Sequence, residues 1–265
     1  LYLDDKNITY GLELPKEIRE DLDLEYVKNF EGLIFPDKIG GYLDLSNLTD
    51  AKDIKLPKEV HGSVYLGRLK DGEGLVLPEI VGGLINLANL ESAEGVTFPK
   101  EVRGSIILNR LTNAKGLKLP EKMNGTLQLR NLISAKGLVF PKEFYDDIYL
   151  SKVINVHGLV LPEQLYGSLY LDSLMNLNGL KFPKRIDGCL DLSNLRSTKG
   201  LVLPESIGGY LDLRSITNPK DLHLPKEVKG DLVLNNLMTA QDLNLPDKIG
   251  GSLLLNNIIS SKILK

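Results

Sequence analysis

The sequence predicts an all-β fold, a single elongated solenoid of about twelve 21-residue coils with two short parallel strands per coil. Three observations lead to this fold class. Proline recurs every 21 residues, aliphatic residues fill columns of the same period, and two short segments per repeat alternate in the way that half-buried strands do. The periodic prolines are residues 15, 36, 57, 78, 99, 120, 141, 162, 183, 204, 225 and 246.

The two strands are predicted from the apolar columns. Counting Gly11 as place 1 of the repeat puts the proline at place 5 and leucine at place 14 in all twelve coils. Places 2, 4, 8, 12 and 17 are apolar throughout. Columns of this kind bury themselves only against the same columns of adjacent coils. We therefore predict a first strand at places 2–4, closed by the proline, and a second strand at places 12–14.

Composition limits the function classes. The 265 residues carry a net charge of −3 with both signs intermingled, so the sequence predicts neither a nucleic-acid partner nor membrane insertion. The only cysteine, Cys189, excludes an internal disulfide framework. Because the period is unbroken, residues 1–265 are interpreted as one repeat domain. The chain begins and ends within a repeat, so we expect a fragment or one part of a larger protein.

Three polar columns are expected to shape the coils. Glycine dominates places 1 and 10, where corners need a positive φ or a close approach of two backbones. Asparagine recurs at place 16, where its side chain can bond the backbone of the next coil. Place 6 alternates acidic and basic residues in every coil, which disfavours a one-coil slip of register. The alternative interpretation of the charged column is an edge on which a partner docks.

Several segments resemble bacterial leucine-rich repeats. Residues 35–48, FPDKIGGYLDLSNL, are similar to the short 21-residue variant in which both halves of the repeat carry an L-x-L strand. Ordinary repeats of that family place asparagine where Leu48 stands, and here Asn47 comes one residue earlier. The departure favours a compact all-β solenoid over the alternative, a leucine-rich-repeat horseshoe. The resemblance implies a recognition scaffold at a cell surface or in a secreted protein.

Tyrosines mark the candidate binding surface. Tyr145, Tyr149, Tyr166 and Tyr170 belong to two consecutive coils, at outward places 9 and 13. Ile107 lies in the place-13 column two coils before Tyr149. Tyrosine is common at interaction hot spots, so we predict that the four form one exposed aromatic patch. The alternative is that β-propensity alone put tyrosine on these strands.

Candidate catalytic and metal-binding groups are weak. Stacked aspartates at place 13, such as Asp191 and Asp212, are interpreted as a solvated face on a flat strand rather than as an acid–base pair or a calcium site. The three histidines fall in three different columns and distant coils, where they do not share a metal ion. Cys189 has no histidine in its coil to activate it. We expect no catalytic residue, no metal and no cofactor.

The function predicted from these patterns is that of a non-enzymatic recognition scaffold. It binds a protein partner through the outward face of the second strand. One alternative is a carbohydrate-binding or carbohydrate-active β-helix, in which tyrosines stack on sugars and aspartates act on them. Another is a self-assembling surface module whose coils associate end to end, because open ends of stacked strands invite further pairing.

Overall fold

A computed structural model describes residues 1–3, 12–177 and 179–259, and all of its regular structure is β. The chain forms two compact units, unit 1 from Leu1 to Arg130 and unit 2 from Asn131 to Lys265. Each unit is a β-solenoid of 21-residue coils with two parallel two-residue strands per coil. This confirms the predicted fold class. The described residues contain no helix, unlike a helix-backed horseshoe.

Unit 1 contains twelve strands in two parallel sheets. The odd-numbered strands pair in the order β1-β3-β5-β7-β9-β11, and the even-numbered strands pair in the order β2-β4-β6-β8-β10-β12. Partners are 21 residues apart, as in the pair of Leu22 with Leu43. The strands are β1 (Glu17–Ile18), β2 (Leu22–Asp23), β3 (Lys38–Ile39), β4 (Leu43–Asp44), β5 (Glu59–Val60), β6 (Val64–Tyr65), β7 (Ile80–Val81), β8 (Ile85–Asn86), β9 (Glu101–Val102), β10 (Ile106–Ile107), β11 (Lys122–Met123) and β12 (Leu127–Gln128).

Unit 2 repeats this plan. Its odd-numbered strands pair in the order β13-β15-β17-β19-β21-β23, and its even-numbered strands follow the order β14-β16-β18-β20-β22-β24. The strands are β13 (Glu143–Phe144), β14 (Ile148–Tyr149), β15 (Gln164–Leu165), β16 (Leu169–Tyr170), β17 (Arg185–Ile186), β18 (Leu190–Asp191), β19 (Ser206–Ile207), β20 (Leu211–Asp212), β21 (Glu227–Val228), β22 (Leu232–Val233), β23 (Lys248–Ile249) and β24 (Leu253–Leu254).

The position predicted for the first strand is wrong. That strand occupies places 7–8, after the proline, whereas places 2–4 form only isolated bridges such as Val139 with Val160. Proline has no N–H to donate, so the ladder in this part of the coil starts just beyond it. The amide of Asp37, for example, donates to the carbonyl of Lys16 at 2.8 Å. The second strand lies where it was predicted, at places 12–13.

The core of each unit consists of the stacked apolar columns. In one coil of unit 2, Phe144, Ile148, Leu150 and Val153 are fully buried. Because side chains alternate along a strand, burial of the first residue of β14 and of β16 turns the second residue outward. The even-numbered strands therefore present a continuous column of outward side chains, and the candidate site lies on it.

The glycine columns have the predicted conformations. Place 1 has a positive φ throughout its described members, and where it is aspartate instead of glycine, as at Asp53, φ is still 63°. At place 10 the backbones of successive coils touch, and the amide of Gly230 donates to the carbonyl of Gly209 at 2.9 Å. A Cβ added to Gly230 would lie 2.6 Å from the carbonyl carbon of Gly209.

The charged and asparagine columns also connect neighbouring coils. Place 6 pairs Lys58 with Asp37 at 3.7 Å, and place 7 pairs Lys248 with Glu227 at 3.0 Å. In the place-16 column, Asn194 Nδ2 donates to the carbonyl of a residue 22 positions earlier at 2.5 Å. The expected asparagine bonds therefore form, and this one runs to the preceding coil.

Candidate functional site

Two of the predicted binding residues form a stacked pair on the even-numbered strands of unit 2. Tyr149 on β14 and Tyr170 on β16 are register partners. Their rings are parallel within 3°, with centroids 4.5 Å apart. The parallel register places identical side chains one strand spacing apart, which is close to the distance at which aromatic rings stack. Both tyrosines are half-buried.

The other two tyrosines form a second stacked pair. Tyr145 follows β13 directly and Tyr166 follows β15, and their ring centroids lie 5.0 Å apart with planes inclined by 6°. Both are exposed, at 48% and 42%. Each hydroxyl is also held. The Tyr145 hydroxyl donates to Glu143 Oε2 and the Tyr166 hydroxyl donates to Gln164 Oε1, both at 2.6 Å.

The predicted aromatic patch is thus organised as two pairs, with the corner of the coil between them. Asp147 lies at this corner, where its Oδ2 accepts the Tyr149 hydroxyl at 3.3 Å and its Oδ1 accepts the amide of Ser168 at 2.8 Å. The fifth predicted residue, Ile107, is half-buried on β10 in unit 1. Its register partners there are Asn86 and Gln128, which are not aromatic.

The tyrosine hydroxyls are neutral donors. The hydrogen bond to Glu143 raises the pKa of Tyr145, because an ionised phenol would face a carboxylate. Burial raises the pKa of Tyr170, and the negative charge of Asp147 adds to the effect. Both rings therefore keep their protons at neutral pH and can donate hydrogen bonds to an approaching partner.

The same outward face carries a cluster that the sequence did not indicate. Asp212 on β20 is 2% exposed, and its two carboxylate oxygens accept hydrogen bonds from Arg214 Nε at 3.0 and 2.8 Å. The backbone N–H of Arg214 also donates to Asp212 Oδ1 at 3.0 Å. The predicted solvated face is therefore wrong for Asp212, because an arginine two residues further on satisfies its carboxylate. That i, i+2 spacing was the signal available in the sequence.

Asp191 and Tyr210 complete this cluster. Asp191 is the register partner of Asp212, and its Oδ1 accepts the amide of Ser193 at 2.9 Å. Burial raises the pKa of Tyr210, and Asp191 is the next cause. The stacked aspartates thus serve local hydrogen bonding and ion pairing.

A groove lies beside the exposed tyrosine pair. It runs along residues 159–164 of one coil and 181–187 of the next, includes Tyr166, and has a volume of about 910 Å³. We call it the Tyr166 groove. Leu161, Pro162 and Pro183 supply buried apolar lining, and Lys181, Lys184 and Arg185 are exposed along it.

Metal binding and membrane spanning have no visible structural basis in the described residues. No cluster of three or more histidine, cysteine, aspartate or glutamate side chains lies close enough to hold a metal ion there. Within the same residues, no helix has the length and apolar character needed to cross a membrane. Cys189 is half-buried, and its sulfur accepts the amide of Tyr210 at 3.4 Å.

Comparisons with protein-family models, with curated proteins and with solved structures found no match to this chain. Function must therefore be inferred from the geometry of the two tyrosine pairs and their surroundings.

Proposed function

We propose that the chain is a non-enzymatic recognition scaffold that binds a protein partner through the outward side chains of unit 2. The observation that carries the proposal is the presence of two parallel tyrosine pairs in the same two coils. Tyrosine contributes a large rigid surface together with a polar tip, and such residues dominate binding energy at protein interfaces.

The rings are arranged in advance of binding. Tyr145 and Tyr166 stack on each other, and each hydroxyl is held by a side chain two residues earlier. A side chain that is already immobilised loses little conformational entropy when a partner binds, which saves about 0.5–1.5 kcal/mol for each rotamer-rich side chain. This supports a preformed contact surface.

Ring orientation favours a protein over a sugar. A sugar stacks on a free aromatic face, but each of these rings uses one face for its neighbour. What a parallel pair mainly presents outward is ring edges and hydroxyl groups, which suit the mixed polar and apolar surface of a protein. The ion pair of Asp212 with Arg214 also occupies one of the two carboxylates that a carbohydrate-active site would use.

The resemblance to leucine-rich repeats points the same way. The columns of leucine and the 21-residue period are those of the short bacterial repeats named above, and the family implies protein recognition at a cell surface or in a secreted protein. We extend the proposal to that setting.

Capture of a partner with paired variants tests the proposal. The double variants Tyr145→Ala/Tyr166→Ala and Tyr149→Ala/Tyr170→Ala should each reduce recovery of a specifically captured protein by more than about tenfold, as expected for hot-spot residues. The matched control is Tyr42→Ala/Tyr65→Ala, a neighbouring tyrosine pair of unit 1 whose rings meet edge to face at 6.0 Å. If both unit-2 variants captured every partner as the wild type does, the proposal would be wrong.

A second measurement separates the enzymatic alternative. Asp191→Asn and Asp212→Asn should leave partner capture intact if the protein still folds, as checked by circular dichroism. Loss of a glycan-cleaving activity in Asp191→Asn would contradict the proposed function. Molecular mass in solution, measured over a range of concentrations, tests the self-assembly alternative.

A further inference from the structure

We infer that the Tyr166 groove binds an extended acidic segment of the protein partner. Apolar side chains of the segment would lie on the floor, and its carboxylates would face Lys181 and Lys184. The inference rests on the proposed function and specifies the chemistry of the partner. Shape, charge and continuity with the tyrosine pair support it.

The groove has the size and lining of a binding cleft. Its volume of about 910 Å³ falls within the range of about 300–1,000 Å³ seen for ligand sites in proteins. Leu159 and Leu161 are buried, and the ring of Phe182 is half-buried between the two coils. Apolar side chains of a bound segment would therefore gain burial against a floor that is already packed.

The strand ladder narrows at the groove. β15 and β17 are joined by the single register pair Leu165 with Ile186, whereas the other ladders between odd-numbered strands of unit 2 contain two pairs. Gln164 and Arg185, which would form the second pair, both line the groove. The cleft thus follows the line between two coils, a shape that suits an extended chain.

The charges along the groove are unequally matched. Glu163 pairs with Lys142 at 3.7 Å, and Asp187 pairs with Arg185. Lys181 and Lys184 are exposed and make no ion pair with a described residue. Two unmatched cations beside an apolar floor are complementary to a segment that alternates acidic and apolar residues.

The groove opens directly on the proposed contact surface. Tyr166 lines it and also stacks on Tyr145, so a bound segment that leaves the groove meets the tyrosine pair. Unit 1 offers an internal comparison, a groove of about 960 Å³ that includes Ile34, Phe35 and Leu56. No tyrosine lines that groove, and its Lys58 is paired with Asp37.

Fluorescence anisotropy with designed peptides tests the inference. The probes are three labelled peptides of equal length, which alternate glutamate with leucine, lysine with leucine, or glutamate with serine. We expect the glutamate–leucine peptide to bind at least about tenfold more tightly than the other two, because it alone has both features of the groove. Its affinity should fall as salt is added. Equal binding of the lysine–leucine peptide would overturn the inference.

Charge reversal locates the binding. Lys181→Glu and Lys184→Glu should each weaken binding of the glutamate–leucine peptide by about tenfold, because attraction becomes repulsion. Lys55→Glu is the matched control for Lys181, since it occupies the same place of the repeat in the unit-1 groove. Lys226→Glu is the control for Lys184, since it lies in the same column and also neighbours Glu205. Equal losses in the controls would overturn the inference.

The outcomes separate this inference from the proposed function. If no peptide binds while the unit-2 tyrosine variants lose their captured partner, the inference fails and the proposed function stands. If the glutamate–leucine peptide binds in the groove while those variants keep every partner, the proposed function fails. A concentration-dependent doubling of mass that Lys184→Glu abolishes would identify a second copy as the occupant and overturn the inference.

Discussion

The carboxylate of Asp212 and the guanidinium of Arg214 form a side-on ion pair on the outward face of unit 2, with the acid almost completely buried. Removing the guanidinium would leave a buried carboxylate without its main donors. We therefore expect Arg214→Ala to lower the free energy of unfolding by about 1–3 kcal/mol, measured by urea denaturation.

A compensating variant tests the cause of that loss. The register partner of Asp212 on the next strand is Val233, which is buried. Asp212→Val combined with Arg214→Ala should recover most of the lost stability, because an apolar pair replaces the buried charge. Arg196→Ala, at an exposed arginine of the same unit, should be close to neutral. No recovery in the double variant would show that the loss has another origin.

The glycines of place 10 predict a position-dependent effect of alanine. Gly230→Ala should destabilise unit 2 by about 1–3 kcal/mol, because its Cβ would lie 2.6 Å from a backbone carbon of the preceding coil. Gly67→Ala is the control, since no atom lies within 4 Å of the Cβ it adds. It should stabilise the protein by about 0.4–1 kcal/mol by restricting the unfolded chain. Similar urea midpoints for the two variants would refute the close-approach explanation.

The ionisation of Tyr210 should depend on Asp191. Burial, then the Asp191 carboxylate, raise the pKa of Tyr210 above the ordinary value of about 10. Asp191→Asn should lower this pKa, measured from the phenolate absorbance or by NMR. Asp172→Asn serves as the control. An unchanged pKa in Asp191→Asn would exclude the carboxylate as a cause.

Stability in alkali follows from the same shift. The folded state holds the Tyr210 proton more tightly than the unfolded chain does, so its contribution is fully present below pH about 10. The contribution is lost as the pH rises through the higher pKa of the folded state. Unfolding measured across this alkaline range should show a smaller loss of stability in Asp191→Asn.

The pair of Glu227 and Lys248 predicts the opposite dependence on pH. The hydrogen bond from Lys248 lowers the pKa of Glu227, so this contribution to stability is present above the ordinary glutamate pKa of about 4.3. It is lost as the pH falls through the lower folded pKa. Lys248→Gln should raise the pKa of Glu227, measured by carboxyl NMR, whereas Lys199→Gln should not. A Glu227 pKa that ignores Lys248→Gln would contradict the ion pair.

The architecture was predictable because it is written 21 residues at a time. Burial, corner glycines and alternating charges all follow from columns of side chains, and the columns are visible in one sequence. The first strand was misplaced for a physical reason. Side-chain alternation at places 2–4 reports burial, whereas the backbone ladder needs amide donors, which the proline at place 5 interrupts.

The candidate site was predictable only in part. Two tyrosines one repeat apart must become neighbours, so each pair follows from the period. That Tyr149 and Tyr170 stack in parallel while Tyr42 and Tyr65 meet edge to face depends on the side chains around each ring. The Tyr166 groove was not predictable, because it arises from the narrowed ladder between β15 and β17 and not from a residue type.

The two-residue strands have a consequence for how each unit folds. Every strand pair joins residues one repeat apart, so each new coil closes a loop of the same length as the coil before it. The entropic cost of closing a loop depends on its length, so adding coils does not raise the cost of any single closure. Folding can begin at any pair of coils in a unit and spread outward one repeat at a time.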